Sequence, residues 1–168
     1  MSKIKLAGIE DESIVDGPGF RFVVFTQGCP HHCPGCQNPQ THDPEGGYWE
    51  DTDVLLEKMK KDPLLKGVTL SGGEPFEQAE VLVEFAEKVR ENGFDVFAYS
   101  GYTFEQLTAG AKNRPAWLEL LKLCDILVDG RFELEHRSLD LLFRGSPNQR
   151  LIDVQRSLAE GKVVIADL

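Results

Sequence analysis

The sequence predicts a single α/β domain built on a mainly parallel sheet. Runs of β-branched and aromatic residues, such as 21–27, alternate along the chain with amphipathic helical stretches, such as 77–92. Glycine or proline separates most of these segments, as expected at turns. With 168 residues, 41% of them apolar, the chain is long enough for one core and short for two. Alternating strands and helices favour a parallel sheet with right-handed crossovers.

The N-terminal part of the chain predicts two strands and one helix. The run 21–27 is better suited to a buried strand than to a helix, because β-branched and aromatic residues fill its centre, and Gly28 ends it. Thr52 or Asp53 is a candidate N-cap for the helix that follows. In order, we expect a strand at 3–9, a tight turn at 15–19, a strand at 21–27, a polar loop at 39–48 and a helix at 52–61.

The C-terminal part predicts three further strand and helix units and then changes character. Apolar residues recur at helical spacing over 77–92, and Gly93 follows as a C-cap. Residues 132–148 are charged and irregular, and the two strand-like runs after them flank Gly161 in the manner of a hairpin. In order, we expect strands at 67–71, 94–99 and 126–131, helices at 77–92, from Thr103, and at 117–123, and a hairpin formed by 151–154 and 162–165.

Charge and hydropathy exclude two classes of partner. Eighteen basic and twenty-eight acidic residues give a net charge of −10, and no basic cluster offers a surface for a phosphate backbone. No apolar run approaches the roughly 18 residues of a membrane span. We therefore expect a cytoplasmic protein that binds neither nucleic acid nor membrane.

Three cysteines at Cys-x3-Cys-x2-Cys spacing predict a metal site at the end of a strand. Cys29, Cys33 and Cys36 lie within eight residues, and deprotonated sulfur is the usual ligand of zinc and of iron–sulfur clusters. Spacing leaves two interpretations open: a structural zinc with His31 or His32 as fourth ligand, and a cluster on three thiolates with one iron left free. Cys124 lies in an apolar run and is expected to be a small buried side chain.

The turn Gly72-Gly73-Glu74-Pro75 is the second candidate site. It is neither a Walker loop nor a dinucleotide fingerprint, because neither pattern is present. Paired glycines after a strand suit a simple tight turn, and they equally suit a backbone that approaches a ligand with an ammonium and a carboxylate group. Asp129 and Arg131, at the end of a later strand, are either functional groups or a solvated strand end.

Further motifs resemble those of a known superfamily. The three cysteines followed by the glycine turn resemble the radical S-adenosylmethionine (SAM) superfamily. The run Val15-Asp16-Gly17-Pro18-Gly19-Phe20-Arg21 looks like the motif of the activating enzymes of glycyl radical proteins. Segment 36–39 continues in the style of those enzymes. Segments 100–102, 127–132 and 144–150 are in addition similar to the short activating proteins of anaerobic (class III) ribonucleotide reductases. The resemblance covers residues 13 to about 154 of an expected single domain, 1–168, with a hairpin-like extension at 150–168.

The resemblance implies a fold, a cofactor and a reaction. The fold would be an incomplete β/α barrel of the radical SAM type. A [4Fe-4S] cluster would be bound by Cys29, Cys33 and Cys36, with SAM chelating the fourth iron. An electron from a donor such as flavodoxin or ferredoxin would cleave SAM into methionine and a 5′-deoxyadenosyl radical. That radical would take hydrogen from a glycine of a large partner, an anaerobic ribonucleotide reductase.

The resemblance also implies roles for individual residues. The adenosyl part of SAM is expected beside Gly35, Cys36 and Gln37, the methionyl group beside Gly72, Gly73 and Glu74, and the SAM carboxylate near Arg131, while Asp129 aligns with a cation-binding aspartate. Three alternatives stay open: a radical SAM enzyme for a small molecule, similar to a deazapurine-forming synthase; an activase of another glycyl radical enzyme; and, in a different class, a zinc-binding adaptor.

Overall fold

The computed structural model describes residues 2–36 and 38–168, which form seven strands and five α-helices. The strands are β1 (Lys3–Ser13), β2 (Phe20–Thr26), β3 (Tyr48–Asp51), β4 (Leu65–Gly72), β5 (Asp95–Tyr99), β6 (Ile126–Asp129) and β7 (Arg150–Asp153). The helices are α1 (Thr52–Lys60), α2 (Ala79–Glu91), α3 (Phe104–Gly110), α4 (Pro115–Leu123) and α5 (Val154–Glu160). Short 3₁₀ turns cover Pro39–Thr41, Pro75–Gln78 and Leu134–His136.

The seven strands form one sheet in the order β3-β1-β2-β4-β5-β6-β7. The four central strands, β2, β4, β5 and β6, run parallel to one another. β1 and β3 pair antiparallel on one side, and β7 pairs antiparallel on the other. The expected α/β class with a mainly parallel sheet is confirmed for the centre of the sheet, and among the described residues the sheet does not close.

The helices and the sheet share one core on one face of the sheet. In α2, Leu82, Phe85 and Val89 are completely buried, and each contributes about 1.5–3 kcal/mol by leaving water. They join Val68 and Leu70 of β4 in the same apolar cluster. Core burial therefore holds α2 in place far more than its intrinsic helix propensity does. Within residues 2–36 and 38–168, no helix combines the length and the apolar composition needed to cross a bilayer.

The opposite face of the sheet is covered by loops and carries polar side chains. Successive residues of a strand point to opposite sides, so Thr69 and Ser71 face away from the helices that Val68 and Leu70 contact. The Thr69 hydroxyl donates to the Asp16 carbonyl at 2.7 Å, which fastens the loop before β2 to this face. This polar face is where a ligand cavity can form, because its strand ends are not filled by a helical layer.

The expected C-terminal hairpin is wrong, because a helix separates its two arms. Residues Val154–Glu160 form α5, which is capped by the Asp153 carboxylate accepting from the Arg156 amide at 3.1 Å and is ended by Gly161 in the left-handed region. The chain still returns to β7, since the Ala166 amide donates to the Leu151 carbonyl at 2.8 Å. The segment after α5 thus pairs with β7 through an isolated bridge, and the two segments do not form a hairpin.

Two smaller differences lie in the N-terminal half. The loop expected at 39–48 is followed by β3, which pairs with the N-terminal part of β1 and forms an edge of the sheet. The N-cap of α1 is Asp51, whose side chain accepts from the Asp53 amide at 2.9 Å, and neither Thr52 nor Asp53 provides it. Asp51 is both the last residue of β3 and the N-cap of α1, so no linker separates the strand from the helix.

A fully buried arginine supports the loop-covered face. Arg21 donates to Thr69 Oγ1 at 2.7 Å and to the Val68 carbonyl at 2.8 Å, and it pairs with Asp95 at 2.5 Å. It also donates to the Pro18 carbonyl at 3.0 Å. A buried charge without partners costs several kcal/mol, so this network fixes the turn at 15–19 against β2, β4 and β5.

Replacing Arg21 by methionine should lower the free energy of unfolding by about 3 kcal/mol, because Asp95 and two carbonyls would lose a buried donor. Lys66→Met is the matched control, since the Lys66 ammonium lies 3.9 Å from the same carboxylate but its side chain is 55% exposed. The control should cost less than about 1 kcal/mol. Urea denaturation of both variants measures the difference, and equal losses would contradict the role assigned to Arg21.

Candidate iron–sulfur active site

A cavity of about 480 Å³ opens at the carboxyl ends of the parallel strands. Its volume lies in the range of small-molecule sites, and its position is where α/β sheets bind ligands. The three cysteines of the motif all line it. The other lining residues from motifs singled out in the sequence are Val15, Asp16, His31, Asn38, Gly72, Gly73, Ser100, Gly101, Gly130, Arg131, Phe132, Arg144, Gly145 and Gln149.

The cysteine loop begins where β2 ends and is fastened at its start. Gly28 adopts a φ of +102°, a conformation that favours glycine, and turns the chain out of the strand. Its amide donates to the Thr41 carbonyl at 2.6 Å, and the Cys29 amide donates to the His42 carbonyl at 3.3 Å. The loop therefore starts from a rigid strand and is braced by the short 3₁₀ turn that follows it.

Each of the three cysteine sulfurs accepts a backbone hydrogen bond. Burial raises the pKa of the Cys29 thiol, and the His31 and His32 amides, which donate to its sulfur, offset part of the rise. Burial likewise raises the pKa of the Cys33 thiol, and the Phe132 amide counteracts it. The Asn38 amide donates to Cys36 Sγ at 3.4 Å.

This donor set fits an iron–sulfur cluster. Thiolates bound to iron carry negative charge, and N–H donors to their sulfurs stabilise that charge and tune the reduction potential. Among the described residues, no three His, Cys, Asp or Glu side chains converge on a point that could hold one metal ion. A four-iron cluster has a different requirement, because it offers a separate iron to each thiolate along the wall of a cavity.

The two histidines of the loop have different surroundings. The His31 side chain is 3% exposed, and its Nε2 lies 2.7 Å from Glu74 Oε1. His32 is exposed, and its ring lies edge-on to His42 at 4.8 Å. His31 is therefore engaged by a carboxylate, and among the described residues neither histidine joins the cysteines in a group that could hold one metal ion.

The glycine turn packs against β2 as well as lining the cavity. Gly72 has a φ of +135°, and a methyl group on it would lie 2.5 Å from the Thr26 amide nitrogen. A methyl group on Gly73 would lie 2.8 Å from the Gly28 carbonyl oxygen. The Glu74 amide donates to that same carbonyl at 2.9 Å. Both glycines are thus required by the close approach of two strand ends, a contact that the sequence pattern does not reveal.

Glu74 is completely buried and does not line the cavity. Besides His31, its carboxylate accepts from the Phe76 amide at 3.1 Å, from Ser100 Oγ at 2.9 Å and from the Gly101 amide at 2.8 Å. The carboxylate therefore joins the ends of β4 and β5 to the cysteine loop. A direct contact between Glu74 and a ligand stays a prediction.

Three further predicted site residues remain, Arg131, Gly35 and Gln37. Arg131 lines the cavity and is exposed. Gly35 lies in the loop with a φ of +72°, and a methyl group on it would lie 2.7 Å from Leu134 Cδ1, so this glycine faces a side chain of the segment after β6. Gln37 lies outside the described residues.

Asp129 is an ion-pair partner within the fold. Its carboxylate receives the Arg150 guanidinium, at 3.0 Å from Nε and 2.5 Å from Nη2, and the Phe104 amide at 2.7 Å. It is completely buried and does not line the cavity of the cysteines. The ion pair joins β6 to β7, and the bond from the Phe104 amide ties the end of β6 to the start of α3.

Sequence reasoning missed the wall built by residues 132–149. Phe132, Leu141, Phe143 and Arg144 line the cavity although this stretch shows no periodicity. The turn at 145–149 holds it in place: Asn148 donates to the Arg131 carbonyl at 2.8 Å, and Gln149 donates to the Gly130 carbonyl at 3.1 Å. The motif at 144–150 is the signal that could have identified this irregular segment as part of the site.

Comparison with known proteins identifies the family. Residues 15–152 match the model described as "4Fe-4S single cluster domain". The anaerobic ribonucleoside-triphosphate reductase-activating protein of Escherichia coli (strain K12) is 32% identical over 144 residues, which are 81% of this chain and 90% of that protein. Its counterpart from Enterobacteria phage T4 is 35% identical over 144 residues, 82% and 86% of the two chains. The chain belongs to the family of anaerobic ribonucleoside-triphosphate reductase-activating proteins.

Membership in this activating-protein family confirms the resemblance seen in the sequence. The family match to a 4Fe-4S domain also confirms the expected iron–sulfur cofactor over zinc. The matched span contains all three loop cysteines, the glycine turn and the whole motif at 144–150. The similarity to a further member, from Vibrio cholerae serotype O1, extends over 81% of this chain and 89% of that protein at 33% identity.

Cys124 should resist modification in the folded protein. It is completely buried, as expected, and burial raises the pKa of its thiol to about 12, so the reactive thiolate is scarce at neutral pH. Iodoacetamide at pH 8, followed by mass spectrometry, should label the half-buried loop cysteines at least about tenfold faster than Cys124. In urea Cys124 should react at the rate of an ordinary thiol. Equal rates in the folded protein would contradict its burial.

Proposed function

We propose that this protein activates an anaerobic ribonucleotide reductase by means of a [4Fe-4S] cluster bound to Cys29, Cys33 and Cys36. The observation that carries the proposal is the convergence of these three thiols and the Gly72–Gly73 turn on one cavity. The choice of an anaerobic ribonucleotide reductase as partner comes from the relatives, which are named as activating proteins of that reductase. Three thiols for four irons leave one iron for a second ligand.

The cluster with SAM would supply reductive cleavage of the sulfonium to methionine and a 5′-deoxyadenosyl radical, with one electron from a flavodoxin or ferredoxin. The chain's own task is to bind, orient and shield. The half-buried thiols hold the cluster, and the backbone donors at their sulfurs, including the amides of His31 and Phe132, stabilise their charge. Glycine is a suitable target in the partner because it has no Cβ to block close approach.

The SAM contacts are assigned from what lines the cavity. Gly72 and Gly73 would hold the methionyl group through backbone atoms, since their side-chain positions already face β2. Arg131 would attract the SAM carboxylate, because an exposed guanidinium at the cavity wall offers donors to it. Cys36 lines the cavity, and the expected place of Gly35, Cys36 and Gln37 beside the adenosyl part rests on the family resemblance. Glu74 would contribute by fixing the turn, since its carboxylate is buried among protein donors.

The open sheet leaves room for a large partner. We assign it to the incomplete β/α barrel type of radical SAM proteins, within a single domain spanning 1–168. The loop-covered face, bounded by the segments around Asp16 and Phe143, leads into the cavity. A flexible glycine loop of the reductase would enter there, while Leu141 and Phe143 exclude water from one wall.

Anaerobic reconstitution should give about four irons per chain and a charge-transfer absorption near 400 nm, approximately as thiolate clusters do. Replacing any one of Cys29, Cys33 or Cys36 by alanine should abolish SAM cleavage, whereas Cys124→Ala should not.

Incubation with SAM, reductant and an anaerobic ribonucleotide reductase should give a glycyl doublet in electron paramagnetic resonance. Zinc without iron uptake would overturn the proposal, and multiple turnovers on a free metabolite without a protein radical would favour a small-molecule enzyme.

Arg131→Ala should weaken SAM binding by about tenfold, because a charge-assisted hydrogen bond to the carboxylate is lost. Arg137→Ala is the matched control, since Arg137 is also exposed but does not line the cavity. Equilibrium dialysis of SAM against the anaerobically reconstituted proteins measures both dissociation constants. Equal affinities would remove Arg131 from the site.

A further inference from the structure

Three motifs that are far apart in the sequence meet at the His31 ring. Its Nε2 lies 2.7 Å from Glu74 Oε1 of the glycine turn. Tyr102 stands edge-on to it, with ring centroids 4.5 Å apart. A methyl group on Gly101 would lie 2.6 Å from its Nε2. The ring therefore fills a notch that exists because position 101 has no side chain.

The partners of His31 are themselves fixed. The Glu74 carboxylate accepts from Ser100 Oγ and from the Gly101 amide, so the two strand ends that receive the ring are joined to each other. The Tyr102 hydroxyl donates to Glu77 at 2.6 Å, and this bond fixes the aromatic ring that stands edge-on to His31. Through Glu74, His31 is thereby attached to the ends of β4 and β5.

The same residue also contacts the metal-binding sulfur. The His31 amide donates to the Cys29 sulfur, so one residue carries both the contact of the ring and the contact with the sulfur. His32, the next residue, donates its amide to the same sulfur, yet its side chain is exposed. The two histidines thus differ in the anchoring of the ring and share the contact with sulfur.

We propose that His31 is a positioning residue that anchors the cysteine loop to the ends of β4 and β5, and that Gly101 is the notch that admits its ring. Through this anchor the Cys29 sulfur keeps a fixed place beside the Gly72–Gly73 turn. The inference rests on the proposed function in that Cys29 is a cluster ligand. It assigns a role in the site to the Ser100-Gly101-Tyr102 motif.

The pair can be tested by filling the notch and by emptying it. Gly101→Ala adds a methyl group where the ring lies, and its amide remains available to Glu74. His31→Ala removes the ring, and the double variant restores room for the methyl group. His31→Gln keeps an N–H donor for Glu74. The controls are His32→Ala, beside the anchor, and Gly8→Ala, where a methyl group meets no atom within 4 Å.

Two measurements report on the anchor. The first is the rate at which an iron chelator removes the 400 nm absorption from the reconstituted protein. The second is the rate of Cys29 alkylation in the iron-free protein, which requires no cluster. His31→Ala and Gly101→Ala should each raise both rates by about tenfold, the effect of losing a hydrogen bond to a charged group. The double variant should match His31→Ala, and His31→Gln and both controls should stay within about threefold of wild type.

The outcomes separate the anchor from the function. Wild-type rates in His31→Ala and in Gly101→Ala would overturn the anchor, as would additive effects in the double variant. If His31→Ala and His31→Gln both speed iron removal while the alkylation of Cys29 in the iron-free protein stays at the wild-type rate, the residue acts as a ligand and the positioning role is wrong. If the wild type takes up no iron while the alkylation rates follow the expected pattern, the proposed function fails and the anchor stands.

Discussion

The buried carboxylate of Glu74 is the interaction on which the site depends. A carboxylate removed from water is tolerated only where hydrogen bonds replace its hydration. Here the donors come from three places: the turn itself, the end of β5, and the cysteine loop through His31. Because each donor belongs to a different part of the chain, satisfying one charge brings the three parts into register. The same carboxylate cannot then be exchanged for an apolar group without releasing all of them.

The position of the cavity follows from the alternation of the sheet. Helices cover one face completely, and the β-branched and leucine residues of the central strands account for that burial. On the other face, polar side chains at the strand ends meet loops instead of helices, and Arg21 fills the space beneath them. Loops can leave a cavity where a helical layer would close it. The chemistry therefore collects on the face that the core does not use.

Local patterns predicted most of the strands and helices, whereas the ligand role of the three cysteines stays a prediction. The cysteine spacing, the apolar run before it and the periodicity of α2 are properties of adjacent residues, and each survives in the structure. The C-terminal helix was missed because seven residues carry too little periodicity, although Asp153 and Gly161 are recognisable caps. The reason for Gly73 was missed for a different cause: its crowding comes from Thr26 and Gly28, 47 and 45 positions away in the sequence. Non-local contacts of this kind leave no signal in spacing.

Metal binding and loop order are coupled in this arrangement. Burial raises the pKa of the Cys29 and Cys33 thiols, and the negative charge of Glu74 near Cys29 and of Cys36 near Cys33 adds to the rise. Three thiolates without metal would thus repel one another in a site with little water, which favours the protonated, metal-free loop. In the proposed function iron would reverse the balance, because its positive charge would compensate the sulfurs and make the amide donors favourable. Contacts made before metal arrives, such as those of the His31 ring, would reduce the entropy lost when the cluster binds, so the proposed anchor to β4 and β5 would raise cluster affinity.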